Sequence, residues 1–260
     1  SDYVGLFGRL YGKVVNLGVV DVNVVGSGDY VGGLVGENSY GTVADCYSTG
    51  SVIAVSDVGG LVGYNNDGKV TQCYSTVTVI GTGWSVGGLV GYSEGAVTQC
   101  YSNGVVSGRG SIGGLVGSNR SDYDEATVIQ CYSTGAVSGS SDVGGLVGWN
   151  DGIVTQCYSA GAVGANDRVG GVVGSNGGRY APSWEWVIGI VSNCFWDIQT
   201  SGQATSAGGT GKTTAEMQTE STFTNAGWDF MDETANGTED IWWILEGQDY
   251  PRLWWETHDN

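Results

Sequence analysis

The six cysteines of this chain are the residues whose type and spacing most directly suggest chemistry. Each stands immediately before an aromatic residue, in the phrases Asp-Cys-Tyr-Ser, Gln-Cys-Tyr-Ser or Asn-Cys-Phe-Trp. The six are Cys46, Cys73, Cys100, Cys131, Cys157 and Cys194. Thiols at a regular spacing form disulfides, bind a metal or fill a core. The sole histidine is His258 and no Cys-x-x-Cys pair occurs, so a metal site is disfavoured, and a ladder of buried thiols is favoured over disulfides.

The aromatic residue after each cysteine is the second repeated feature. These residues are Tyr47, Tyr74, Tyr101, Tyr132, Tyr158 and Phe195. Neighbours on a β-strand point to opposite faces, so an inward cysteine places the next aromatic side chain outside. The pattern predicts an exposed aromatic ladder. Such a ladder either stabilises itself by stacking or offers a flat surface for a sugar ring, and the first reading is favoured.

Aspartates recur just before a glycine-rich phrase and are weak candidates for a calcium site. They are Asp29, Asp57, Asp142 and Asp167. Carboxylates repeated along one line could bind Ca²⁺, but Ser85 and Ser111 stand at this place in two other copies, so solvated turn residues are favoured. No cofactor is predicted, apart from this possible calcium ion.

A repeat must position all these residues. The phrase Val-Gly-Gly-Leu-Val-Gly, with small variations, returns every 26–31 residues, and its Leu position is Leu6, Leu34, Leu61, Leu89, Leu115, Leu146 and Val172. Each copy holds short β-prone pieces, and no helical period appears before residue 195. Pieces this small bury their apolar faces only by stacking. The sequence therefore predicts an all-β parallel β-solenoid of about seven coils of ~27 residues, in a domain spanning 1–196.

One further position recurs two residues after the glycine phrase. It holds Asn38, Asn65, Ser93, Asn119, Asn150 and Asn176. Asparagine tolerates tight corners, and stacked amides pair along an axis, so we expect a corner ladder here.

The Gly-Gly-Leu-Val-Gly unit followed by Cys-Tyr-Ser resembles the GLUG repeat, and the resemblance spans residues 3 to 196. That family occurs in large secreted or surface proteins of bacteria and archaea, including adhesin-like and IgA-peptidase-type proteins. The resemblance implies an extracellular repeat scaffold without catalytic residues. No His-Glu-x-x-His peptidase motif is present. The last segment resembles stretches that follow such repeats.

Residues 197–260 differ from the repeats, with 5 of the 10 tryptophans and an acidic composition. Thr213 with Glu216 predicts a helix-capping box for a short helix through Gln218. Residues 241–245 and 250–255 read as a hairpin. Because an apolar hairpin must be covered and a solenoid end must be closed, this segment is predicted to be a Trp-rich cap.

Two insertions interrupt the repeat, at residues 120–126 and 177–187, and both leave the same corner. They would flank the coil between them, and insertions on one face of a solenoid often form its binding face. The candidate ligand-binding residues are Tyr123, Asp124, Trp149, Asp151, Tyr180, Trp184 and Trp186. Acidic and aromatic groups together suit a carbohydrate, and covering loops are the alternative.

The net charge of −18 disfavours nucleic acid as a partner, and no stretch is long and apolar enough for direct membrane insertion. No nucleophile–base pair is available with one histidine, although two carboxylates could still hydrolyse glycosides. We therefore expect a non-catalytic structural or adhesive scaffold, extracellular or at the cell surface, that self-associates head to tail through its solenoid ends into a filament or layer. The alternative is a carbohydrate-binding or carbohydrate-active surface protein that uses the two insertions. Surface glycans are then its partners.

Overall fold

The computed structural model describes residues 2–120, 126–180 and 186–258, with the side chains of 179, 180, 186, 187, 257 and 258 left aside. It is a parallel β-solenoid, as the repeat predicts. Each coil passes through four walls. The predicted seven coils slightly overcount the structure, which has about six complete turns. The fourth wall holds six strands, since the first coil contributes only a single bridge, Val4 to Val31, at that wall.

The walls are parallel sheets in which each strand pairs with the equivalent residues one coil away. The first wall contains Phe7–Leu10, Val35–Ser39, Val62–Asn66, Val90–Ser93, Val116–Asn119, Val147–Asn150 and Val173–Asn176. The second contains Lys13–Val15, Thr42–Ala44, Lys69–Thr71, Ala96–Thr98, Thr127–Ile129, Ile153–Thr155 and Ile190–Ser192. The fourth contains Val31–Gly32, Val58–Gly59, Trp84–Gly87, Gly110–Gly113, Ser141–Gly144 and Asp167–Gly170.

The third wall begins with two long strands and then divides into two ribbons. The long strands are Gly18–Val25 and Tyr47–Ala54. The tyrosine ribbon continues with Tyr74–Ser75, Tyr101–Ser102, Tyr132–Ser133, Tyr158–Ser159, Phe195–Asp197 and Thr210–Lys212. The valine ribbon continues with Thr78–Gly81, Val106–Ser107, Val137–Ser138 and Val163–Gly164.

The interior is divided into two apolar cores. One contains the Leu34 ladder and the six cysteines. The other contains two valine-rich ladders, beginning at Val31 and Val52. Two small residues separate the cores in each coil. They are the second glycine of each Gly-Gly pair and the serine of each Cys-Tyr-Ser phrase, and they face each other across the coil. Ser48, Ser75, Ser102, Ser133 and Ser159 are all buried. Small side chains at this level let opposite walls approach closely.

The change from the second to the third wall is made by one residue with a left-handed backbone. This residue directly precedes the cysteine in each coil, for example Gln72 with φ of 51° and Gln99 with φ of 52°. Alternation from Val70 would turn Cys73 outward, and the corner at Gln72 turns it inward again. Both Val70 and Cys73 are fully buried.

The segment after residue 197 contains helices α1 (Ile198–Ser201), α2 (Thr214–Met217) and α3 (Glu220–Thr224) and the 3₁₀ helix Trp254–His258. Helix α2 has the capping box expected of Thr213 and Glu216. The expected hairpin is also present, with Trp242–Trp243 antiparallel to Arg252–Leu253. A second antiparallel pair joins Gly178–Tyr180 to Trp186–Ile188. Within the described ranges no helix has the length and apolar character needed to cross a membrane.

Candidate functional site

The aromatic residues that follow the cysteines form a continuous stack. Adjacent rings from Tyr47 to Tyr158 have centroids 4.9–5.0 Å apart and planes within 6° of parallel. The spacing equals the distance between paired strands, so the parallel register itself places the rings. We call Tyr47, Tyr74, Tyr101, Tyr132, Tyr158 and Phe195 the aromatic ladder.

The prediction that the whole aromatic ladder is exposed is wrong for its C-terminal half. Tyr132, Tyr158 and Phe195 are 6%, 1% and 7% exposed. They form a third apolar core with the segment after residue 197, in which Trp228 and Trp242 are fully buried. Strand alternation directs these rings away from the solenoid interior, but the tail then folds back along the flank and covers them. The N-terminal half, from Tyr47 to Tyr101, remains half-buried.

Polar contacts fix the tail on the aromatic ladder. The Tyr132 hydroxyl donates to Glu256 Oε2 at 2.7 Å, and the Tyr158 hydroxyl donates to the Pro251 carbonyl at 2.6 Å. Burial raises the pKa of both tyrosines and also raises the pKa of the Glu256 carboxyl. Tyr250 donates to Asp197 Oδ2 at 2.7 Å. These bonds satisfy polar groups that the apolar contact removes from water.

A groove lies where the tail leaves the aromatic ladder uncovered. Its volume is about 320 Å³. Its lining includes Asn16, Gly18, Asp45, Tyr47, Gln72 and Trp255. The Trp255 ring lies 5.5 Å from Tyr101 and 6.3 Å from Tyr74, at 23° and 27° to their planes. The repeat predicts the ladder of tyrosines, but no sequence spacing relates Trp255 to it.

The asparagine position forms the predicted corner ladder inside the wall. Asn38 Nδ2 donates to Asn65 Oδ1 at 2.9 Å, and Asn150 Nδ2 donates to Asn176 Oδ1 at 2.8 Å. Ser93 takes this place in one coil and accepts from Asn65 at 3.2 Å. The ladder residues from Asn38 to Asn150 are fully buried, so these amides secure the corner rather than form a binding surface.

All six cysteines are buried free thiols that fill the larger core. Each Sγ lies close to the carbonyl two residues before it, as in Cys100 to Thr98 at 3.2 Å. The Cys73 N–H also points to Cys100 Sγ at 3.4 Å. Burial raises the pKa of Cys73, Cys100 and Cys157, which keeps these thiols neutral. Their environment is that of structural residues.

The insertion residues are only partly described by the structure. Tyr123, Asp124 and Trp184 lie outside the described residues, and so do the side chains of Tyr180 and Trp186. Trp149 is half-buried on the first wall. Asp151 is 2% exposed and pairs with Arg120, Nε to Oδ2 at 3.3 Å. A Cβ on Gly177 would lie 2.5 Å from both Trp149 and Asp151, so these residues and the base of the second insertion meet at one place.

The four aspartates do not form the single ladder that a calcium site would need. Asp57 and Asp142 occupy left-handed corners, whereas Tyr30 and Arg168 occupy that corner in the coils of Asp29 and Asp167. Asp142 forms a two-contact ion pair with Arg168 of the next coil. In residues 2–120, 126–180 and 186–258, no three His, Cys, Asp or Glu side chains gather to hold a metal ion.

Sequence reasoning missed a surface ladder of glutamines. Gln99 Nε2 donates to Gln130 Oε1 at 3.2 Å, and Gln130 Nε2 donates to Gln156 Oε1 at 3.3 Å. Gln156 then donates to the Gly227 carbonyl of the tail at 2.7 Å. The sequence does show a glutamine before several of the cysteines. That these glutamines stack can be inferred only when the left-handed corner they occupy is known.

Comparison with known proteins identifies the repeat. The GLUG motif matches residues 27–53, 54–80 and 82–107, and each match covers one coil. A protein of Evansella cellulosilytica described as a Gly-rich membrane protein is 43% identical over 63 residues, which are 24% of this chain and only 6% of that protein. No solved structure is significantly similar to this chain. Residues 27–107 are therefore three GLUG repeats, and the chain is a structural repeat protein that carries the GLUG motif.

Proposed function

We propose that this chain is a non-catalytic scaffold, extracellular or at the cell surface, that joins a second copy through its first coil. The scaffold role is supported by the way its repeated residues are used. The cysteines, asparagines, inner serines and much of the aromatic ladder are buried and contact their counterparts one coil away. Residues that contact one another in this way stabilise a rigid rod, and their side chains are not accessible to a substrate.

The observation that carries this proposal is the difference between the two ends of the solenoid. Leu6 is 61% exposed, although its ladder mates Leu34, Leu61 and Leu89 are fully buried. Val20, on the edge strand of the third wall, is also 61% exposed. The first coil thus presents a core-type leucine, an exposed valine on its edge strand and unpaired strand edges. Such an edge is a template for another chain.

The opposite end is covered in part by residues 203–212, which lie over the first wall and the tyrosine ribbon. The Ala207 N–H donates to the Val173 carbonyl at 3.0 Å, and the backbone N–H of Val173 donates to Ser206 Oγ at 2.9 Å. Thr210–Lys212 then adds a last strand to Phe195–Asp197. The last strands of the second and fourth walls, Ile190–Ser192 and Asp167–Gly170, keep a free edge among the described residues, so this end is only partly closed and head-to-tail growth is disfavoured rather than blocked. Contact between two first coils gives an isologous pair instead, and assembly stops at two copies.

A location outside the cell or at its surface is supported by the resemblance to secreted GLUG proteins. The similar protein of Evansella cellulosilytica is described as a membrane protein. The net charge of −18 suits a soluble surface module. Protease treatment of intact source cells tests this part, because a surface protein is cleaved without lysis and an interior one is protected.

Light scattering coupled to size exclusion tests the assembly. The wild type should be a dimer, and Leu6→Arg and Val20→Arg should be monomers. Leu245→Arg is the matched control, because Leu245 is a similarly exposed apolar residue (49%) in the tail, and it should remain a dimer. A monomeric wild type at high concentration would refute the pairing. Filaments would refute the closed pair and restore head-to-tail growth.

A second candidate function is carbohydrate binding at the insertions. The observation in its favour is the meeting of half-buried Trp149 with Asp151 and Gly177 beside the Gly178–Tyr180 strand. An aromatic side chain next to a carboxylate suits a sugar. Loss of glycan-array signal in Trp149→Ala supports this candidate, and silence of the wild type with calcium present discards it.

A further inference from the structure

The aromatic ladder stops at Tyr47, and a glycine explains why. Gly18 is the register partner of Tyr47 in the first coil. A Cβ on Gly18 would lie 2.2 Å from the Tyr47 ring. The absence of a side chain at Gly18 gives this ring its space, and among the described residues Tyr74 on the opposite side is the ring that stacks on Tyr47. The result is a recess at the end of the stack.

Trp255 forms the other boundary of this recess. Its ring is nearly parallel to Tyr74 and Tyr101, so a broad indole face is turned along the solenoid axis. It is centred nearer to Tyr101, and the groove extends from it towards Gly18. The groove thus spans two coil spacings, roughly 10 Å along the axis. An aromatic wall with an open side is suited to stacking against a flat, largely apolar ring face.

The rim of the groove is polar and regular. Asn16, Asp45 and Gln72 hold equivalent left-handed corners in three successive coils. Their side chains therefore repeat at about 4.8 Å, the strand spacing. Two amides offer donors and acceptors, and a carboxylate offers acceptors, which together match a row of hydroxyl groups.

We propose that the groove between Tyr47 and Trp255 binds a neutral saccharide chain, one ring stacking on Trp255 and hydroxyls bonding to the three corner residues. Its volume of about 320 Å³ falls within the range of small-molecule sites. The net charge of −18, with Asp45 on the rim, repels uronic or sulfated glycans and selects neutral ones. The inference extends the proposed surface role. Asn16 and Gly18 belong to the first coil that the proposed pairing uses, whereas Asp45, Gln72 and Trp255 lie outside it. Calorimetry on the Leu6→Arg monomer therefore tests the groove independently of the pairing.

Titration calorimetry with a fixed panel tests the site in the full chain. The probes are cellohexaose, maltohexaose, mannohexaose, xylohexaose and the hexasaccharide of chitin. We expect at least one to bind, and Trp255→Ala to weaken it by about tenfold or more. Gln72→Ala should weaken it severalfold without touching the tail. Trp84→Ala is the matched control, because Trp84 is 47% exposed on the fourth wall and outside the groove.

Each result has a defined meaning. Weaker binding in both groove variants, with Trp84→Ala unchanged, supports the site. No binding by any probe, or equal binding by wild type and both groove variants, overturns it. If Trp149→Ala loses saccharide binding and Trp255→Ala retains it, the proposal is also overturned and binding is assigned to the insertions. Near-ultraviolet circular dichroism of Trp255→Ala checks that the tail stays folded, and Gln72→Ala decides the case if it does not.

Discussion

Ser48 Oγ donates a hydrogen bond of 2.8 Å to the carbonyl oxygen of Gly60, twelve residues further along the coil. Ser159 makes the equivalent bond to Gly171 at 2.5 Å. The bond links the Cys-Tyr-Ser phrase to the Gly-Gly phrase of the next copy, across the solenoid. The two phrases recur together because they are opposite sides of one constriction, which separates the two apolar cores.

Gly60→Ala should destabilise the solenoid strongly. A Cβ on Gly60 would lie 2.2 Å from both the Gly88 carbonyl oxygen and Ser75 Oγ, and the backbone carbonyl cannot move without disturbing its wall. We expect a loss of about 3 kcal/mol or more in the free energy of unfolding. Denaturant unfolding followed by circular dichroism measures it.

The controls are Gly12→Ala and Gly164→Ala, because an added Cβ meets nothing within 4 Å at either position. These variants should stay within about 0.5 kcal/mol of the wild type. If all three variants unfold alike, the constriction is not the reason for the Gly-Gly pair.

Asn150→Val should cost about 2–4 kcal/mol, because it leaves a buried donor on Asn119 and a part-buried acceptor on Asn176 without this partner. Both bonds are 2.8 Å long in the wild type. Asn150→Ser should cost clearly less, since Ser93 fills this position in another coil and bonds to Gly95 O at 3.3 Å. Thermal unfolding of the pair measures the difference, and equal losses would contradict a hydrogen-bonding role.

Asp57→Asn should stabilise the protein near neutral pH. Burial, with the charge of Asp29 acting in the same direction, raises the pKa of Asp57 from 3.8 to about 6. Because the folded pKa exceeds the unfolded one, the contribution of this carboxyl to stability is complete below about pH 4 and is lost as the pH rises through 6. Asparagine is neutral throughout and tolerates the left-handed backbone, whose φ is 51°.

The gain should be about 1–2 kcal/mol at pH 7 after allowance for solvent screening, and it should vanish near pH 4. Unfolding temperature against pH for both proteins gives the measurement. Asp142→Asn provides the contrast at an equivalent corner, because it breaks the ion pair with Arg168 and should lower stability at pH 7. A gain that persists unchanged at pH 3 would exclude protonation of Asp57 as its cause.

All six thiols should resist Ellman's reagent in the folded protein and react in denaturant, because each is buried and burial raises the pKa of Cys73, Cys100 and Cys157. Val105→Cys supplies the positive control, since Val105 is 51% exposed and its replacement should react at once. Fewer than six reactive thiols in denaturant would mean that disulfides are present.

Local periodicity was enough to predict the solenoid. The return of Leu34, Leu61 and Leu89 every 27 or 28 residues requires stacked coils, because one coil cannot bury its own leucine. The same logic predicted the inward cysteines and the asparagine ladder, whose partners are their own copies one coil away. The position of the corner could not be predicted, because nothing in the sequence distinguishes the left-handed Gln72 from an ordinary surface glutamine.

What the sequence by itself determined, then, is most of the contacts between equivalent residues of neighbouring coils, since the repeat specifies both partners at once; the glutamine ladder is the exception. Contacts between unlike segments were decided only by the tertiary structure. Tyr158 belongs to the repeat and Trp228 to the tail, and no sequence period relates the two residues. The burial of half the aromatic ladder could therefore not be predicted from the sequence. The groove beside Trp255 and the partial cover of the C-terminal end arise in the same way. Both depend on how a single non-repeating segment folds back on the rod.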